Sequence, residues 1–108
     1  MIDGKEDLKR VTRLLLRDVG ATVGDEHRDY VLWRAAEVRE LGIEYYGAKL
    51  VEDVQQYLHD TFVDTTWPAC PRHPNHPLWC QDAVWWRCER DGVAITPLGE
   101  LGALEASE

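Results

Sequence analysis

Apolar residues recur at helical spacing from Leu8 through Val11, Leu15 and Val19, with Leu14 and Leu16 widening the stripe, so a first helix is expected to end at Gly20. Asp3 and Glu6 stand in capping-box register ahead of it. A loop over residues 20 to 24, with Thr22 or Asp25 as cap, leads into a second stripe of Val31, Leu32, Ala35, Val38 and Leu41, its Glu37, Arg39 and Glu40 facing water. Gly42 then bends the chain. A third helix is expected over residues 43 to 62, with Tyr46, Leu50, Val54, Tyr57, Leu58 and Phe62 inward and Glu52, Asp53, Gln56 and Asp60 outward. Three such stripes on short connections imply a three-helix bundle. Tyr30, Trp33, Tyr45 and Tyr57 suit its core better than a binding surface, and His27 and His59 suggest no role.

The helical pattern breaks at residues 61 to 66, and Pro68 forbids its continuation. Residues 67 to 92 then hold all three cysteines, two of four histidines, four of five tryptophans and four of five prolines, a composition that no helix or ordinary core requires. Leu78-Trp-Cys80 and Val84-Trp-Trp-Arg-Cys88 read as the arms of a hairpin, whose alternation puts Val84, Trp86 and Cys88 on one face and Trp85 and Arg87 on the other. Val93 to Thr96 reads as a third short strand, and the last residues as a frayed acidic tail. The expected fold is therefore α+β: a helical region over 1–63, a small β-hairpin module over 64–98 and a tail over 99–108. A module of about 30 residues is below the size that folds without a staple.

Metal is the expected staple. The spacing Cys70-x2-His73-x2-His76-x3-Cys80-x7-Cys88-x2-Asp91 offers zinc two short-spaced pairs, Cys70/His73 and Cys88/Asp91, each on its own turn. Gly92 directly follows the second pair, where a tight turn lets backbone amides bond to thiolate sulfur. Cys70, His73 and Cys88 are the first three ligands. His76, Asp91 and Cys80 compete for the fourth position: softness favours His76, two-turn geometry favours Asp91, and Cys80 reads as a small buried hydrophobe. His76 is the fourth choice. The triplet run Ala-Cys-Pro, Arg-His-Pro, Asn-His-Pro admits another conformation, a polyproline II edge that would space Cys70, His73 and His76 about 9 Å apart and hold no metal. The metal reading requires the chain to turn between Cys70 and His73.

Residues 67 to 78, with Trp86-Arg-Cys88 and Val93-Ala-Ile-Thr-Pro-Leu-Gly-Glu-Leu101, resemble the C-terminal segment of small uncharacterised actinobacterial or actinophage proteins. More broadly they are similar to the zinc-ribbon superfamily. This resemblance implies a zinc-stapled hairpin and no particular activity.

Charge narrows the function. The chain carries -8 overall, and residues 64 to 108 hold three basic against seven acidic side chains, a poor balance for neutralising phosphates. A protein partner is therefore expected before a nucleic acid, with Trp79 and Trp85 as anchors of an assembly or adaptor surface. Nucleic-acid binding is the alternative, through a basic ridge of Lys9, Arg13 and Arg17 at i, i+4 and i+8 and stacking tryptophans. Zinc-dependent hydrolysis with Asp91 or Glu89 as base ranks below both, because no His-Glu-x-x-His or His-x-Glu element accompanies the cysteines. No enzyme is expected. Neither a signal peptide nor an apolar membrane run is legible, and clustered reduced cysteines point to a cytoplasmic protein.

Overall fold

The computed structural model describes residues 4–41, 46–61, 66–73 and 75–106. Asp3, Gly42, Ile43, Tyr45 and Phe62 lie outside these, as do the side chains of Glu6, Leu41 and Tyr46. Three helices come first, α1 (Gly4–Val23), α2 (Arg28–Leu41, after a single 3-10 turn at Asp25–His27) and α3 (Tyr46–Asp60). An antiparallel hairpin follows, β1 (Trp85–Cys88) with β2 (Val93–Pro97), and the short helix α4 (Leu101–Ala106) closes the chain. The architecture is α+β.

The α1 stripe is buried as its spacing requires: Leu8, Val11, Leu15 and Val19 are each at most 4% exposed. Full burial of one such side chain contributes about 1.5–3 kcal/mol. The helix runs past Gly20 to Val23, because the Thr22 hydroxyl donates back to the Asp18 carbonyl (2.7 Å) and is not turned forward as a cap. It stops at Gly24, whose φ of 88° is a conformation that glycine adopts without steric cost. In α2, Val31, Ala35 and Val38 face the core while Leu32 is 42% exposed, so the apolar stripe is one residue narrower than expected. In α3, Leu50, Val54 and Leu58 are buried together with Val51 and Gln55. Tyr57 stacks on Tyr30 (3.7 Å between centroids), whereas Trp33, expected inside, is 55% exposed.

Helices α1 and α3 approach closely at Gly47, where an added Cβ would stand 2.6 Å from both Asp7 Oδ2 and Val11 Cγ2. Alanine gains about 1 kcal/mol of helix propensity over glycine. The clash costs about 1–3 kcal/mol. Gly47→Ala is accordingly expected to lower the thermal midpoint, and a calorimetric scan showing a rise would refute this packing.

The C-terminal part shares its core with the helices. Trp67, Leu78, Cys80, Trp86 and Leu98 join the cluster formed by the α1, α2 and α3 stripes. Both buried indoles bond to one face of α1, Trp86 Nε1 to Asp18 Oδ2 (2.9 Å) and Trp67 Nε1 to Thr22 Oγ1 (2.8 Å), and they pack edge to face at 5.5 Å. From α3, Gln55 donates its amide to the carbonyls of Trp67 (3.2 Å) and Leu78 (2.8 Å), and His59 Nε2 donates to Trp67 O (2.8 Å). Arg10 reaches the Ala83 carbonyl at 3.0 Å. Residues 67 to 98 thus sit on the bundle through named polar contacts as well as apolar area.

Asp18 is the centre of this junction. Its fully buried carboxylate accepts from Trp86 Nε1, from Gly99 N (2.7 Å) and from Leu101 N (2.9 Å), holding the hairpin and the start of α4 against α1. The expected frayed tail is therefore corrected. Residues 101 to 106 are helical because Leu101 is buried and its amide has a charged acceptor. Burial pushes the Asp18 carboxyl above its ordinary value, against the opposing hydrogen bonds from Trp86, Leu101 and Gly99 and the charge of Arg17. For a group raised in this way, the stability it contributes is full below the unfolded-chain value and is lost as pH rises through the folded one. A carbon-13 titration of the Asp18 carboxyl is expected to give a midpoint above that of an ordinary aspartate. A midpoint at or below it would contradict the desolvation.

Candidate metal centre

Two turns face each other at the far end of the hairpin. The first begins at Ala69, which bridges to Pro77, and is closed by Cys70 N to His76 O (3.0 Å). Within it His73 N bonds to Cys70 O (3.2 Å) and His76 N to His73 O (2.9 Å). The segment folds back on itself, so the extended polyproline edge is ruled out: its carbonyls are used inside the loop. The second turn joins β1 to β2, with Gly92 N bonded to Cys88 O (2.8 Å) and Gly92 at φ 66°. Asp91 N points at Cys88 Sγ, 3.4 Å away, the amide-to-sulfur contact that a glycine-following turn allows.

The hairpin differs from the expected one. Its main ladder is β1 with β2, in register Trp86↔Thr96 and Cys88↔Val93, with a bulge at Ile95. The expected partner arm, residues 78 to 80, contributes a single bridge, Trp79↔Arg87. Trp86 and Cys88 share the buried face while Trp85 and Arg87 point out. Val84 does not join them and is 45% exposed, because Ala83 takes φ 59° and Asp82 Oδ1 accepts from the amides of Val84 and Trp85, making this a turn before the strand begins.

These turns bring ligand atoms of His73, Cys88 and Asp91 within 4.8 Å of one another. Ligand atoms around one tetrahedral zinc stand about 3.3–3.8 Å apart, given bonds of 2.0–2.3 Å. The 4.8 Å bound is wider than this, so the three groups are near enough to be candidate ligands of one ion but would have to draw closer to hold zinc. His73 Nε2 lies 3.0 Å from Asp91 Oδ2, which also receives Arg72 Nε at 3.1 Å. The hydrogen bond from His73 holds the Asp91 carboxyl below its ordinary value; desolvation opposes this, and the charges of Arg72, His73 and Arg90 assist. A carboxylate that stays ionised through neutral pH is a competent ligand for a hard or borderline cation.

No family model, curated protein or solved structure matches this chain. The site must be read from its own residues.

Of the four ligands expected from sequence, His73 and Cys88 lie in the cluster, together with Asp91. Cys70 is 1% exposed and lies outside the three-residue group, lining with Cys88 and His76 one cavity of about 340 Å3. His76 is exposed and its Nε2 stands 3.3 Å from Arg90 Nη1, an arrangement suited to neutral imidazole accepting from guanidinium. Cys80 is buried away from the group. Burial, with the nearby charges of Asp82 and Asp18, pushes its thiol up to about 12, so it stays protonated at neutral pH. All three thiols are free. Of the expected anchors, Trp85 is 38% exposed on the outer face, and Trp79 is half-buried, edge-on to His59.

The polar residues that seat this module escaped the sequence reading. Asp18 and Gln55 each fall within an apolar stripe, three residues after Leu15 and four after Val51, and that position is the signal of a buried acceptor or donor.

Proposed function

We propose that residues 67 to 98 are a structural zinc module, with Cys70, His73, Cys88 and Asp91 as ligands, that fixes a surface for protein-protein contact. The observation carrying this reading is the convergence of His73, Cys88 and Asp91 from two separate turns. Asp91 takes the fourth place in preference to His76, since it already contacts His73 while His76 faces Arg90. Cys70 completes the set as the buried partner of His73 in the first turn, on the cavity wall that Cys88 shares. Two thiolates and a carboxylate leave bound Zn2+ with excess negative charge, which Arg72 and Arg90 beside the site offset. With Cys70 as the fourth ligand the site would be closed and keep no position for substrate, which favours a structural role over a catalytic one. A reducing compartment such as the cytoplasm would keep the thiols available. No helix among the described residues is long and apolar enough to cross a membrane.

The contact surface is the outward face of the hairpin end, where Trp85 lies near exposed Val84 and pairs with Pro97. Trp85 is its anchor, and half-buried Trp79 flanks the same module. Elemental analysis of protein purified without chelator or histidine tag is expected to find about one zinc per chain, as for a mononuclear structural site. His73→Ala and Asp91→Ala should each lose most of it. Folded, metal-free protein would sink the proposal.

A further inference from the structure

Helices α1 and α2 leave between them an open groove of about 590 Å3, on elements separate from the metal-site turns. Its rim carries Lys9, Arg13 and Arg17 from α1 and Arg28 and Arg39 from α2. No acidic side chain lines it, although the chain as a whole carries -8. Arg13, Arg28 and Arg39 make no ion pair with any described residue, whereas Arg10 and Arg34, on the same two helices, are both paired to carboxylates. The floor is apolar: Leu16, Ala35 and Ala36 line it, and Leu32, 42% exposed, precedes Ala36 by one helical turn.

We infer that this groove docks an acidic amphipathic helix of a partner protein. Along α1 the basic row from Lys9 to Arg17 spans about 12 Å, and along α2 Arg28 and Arg39 lie about 16 Å apart, at 1.5 Å per residue. Two cationic rows flanking an apolar furrow complement a helix of about three turns with an apolar stripe edged by Glu or Asp on both sides. Such a helix adds a fourth member to the three-helix bundle. A nucleic acid would satisfy the arginines but leave the floor wet, and its phosphates beyond the groove would meet an acidic protein. The inference does not depend on the metal module.

The test is fluorescence anisotropy of a labelled synthetic peptide of about 18 residues, leucines at i, i+3, i+4 and i+7 and glutamates on both flanks, titrated with the full chain. Binding is expected in the micromolar range, weakening as salt rises. A peptide of the same composition with its leucines scattered should bind at least about tenfold more weakly. The double variant Arg13→Glu/Arg39→Glu should also lose about tenfold or more, while Arg13→Lys/Arg39→Lys largely retains affinity. Circular dichroism and thermal unfolding establish that both variants are folded. Equal binding of the scattered peptide or of the charge-reversed protein would overturn the inference. So would tighter binding of single-stranded DNA at the same arginines, or dimerisation of the chain that the same reversal abolishes, which would make a second copy the occupant.

Discussion

Asp18→Ala is expected to lower the unfolding free energy by at least about 3 kcal/mol, because it strands three buried N–H donors at once and each loss costs about 1–3 kcal/mol. Small domains hold about 5–15 kcal/mol in total. One side chain therefore carries a large share of the total, although the contacts of Gln55, His59 and Thr22 still tether the C-terminal half to the bundle. Asp18→Asn tests the mechanism as distinct from the volume. Asparagine can accept from Trp86 Nε1 and Gly99 N through its oxygen, but its amide would then face Leu101 N, donor against donor. Its cost should be intermediate, and it should appear first as loss of α4 while the Trp86 environment is kept. Urea unfolding followed by tryptophan fluorescence and circular dichroism measures both variants. A change below about 1 kcal/mol for alanine would mean that the donors find other acceptors.

Cys88→Ser, or exhaustive chelation, is expected to remove the metal and to lower stability by about 4 kcal/mol where free zinc had exceeded its dissociation constant a thousandfold. Small zinc fingers unfold altogether without metal. Here unfolding should be partial, because Trp67, Leu78 and Trp86 remain in the shared core with their polar anchors on α1 and α3. The two turns at residues 70–76 and 88–92 should loosen while helical circular dichroism persists. Cys80→Ala is the control: it leaves a small cavity in the core but should retain metal, since Cys80 lies outside the three-residue group and its thiol is pushed up to about 12. If Cys80→Ala loses zinc and Cys88→Ser keeps it, the ligand assignment is wrong. If chelated and zinc-loaded protein melt together, the site has no structural role.

The helices were legible because their apolar residues recur at a period that only a helix can bury, and Leu8, Val11, Leu15 and Val19 lie where that period puts them. The two short-spaced turns were legible for a chemical reason, since glycine after Cys88-x2-Asp91 marks a tight turn. What periodicity cannot register is a contact between distant segments. Nothing local to α1 shows what a buried Asp18 would bond; its role depends on donors at residues 86, 99 and 101. The same holds for α4, whose six residues have too little intrinsic preference to form a helix without α1 beside them. Val84 was misplaced because alternation assumes a strand, and the Asp82 side chain imposes a turn there. Leu32 and Trp33 were placed inside because apolar residues usually are. The exposure of Leu32 gains meaning from Ala36, one helical turn on, which lines the arginine-rimmed groove, whereas Trp33 lies beside Tyr30, which stacks on Tyr57 of α3.

The carboxylate at residue 18 also sets an order of events on the ribosome. Its partners lie 68, 81 and 83 residues further along the chain, so α1 is synthesised long before anything can satisfy it. Until residues 99 to 101 have emerged, that face of α1 must keep its charge in water and cannot close. The first helix thus acts as a template for residues 86 to 101, and the core they share is complete only once that segment is available to it.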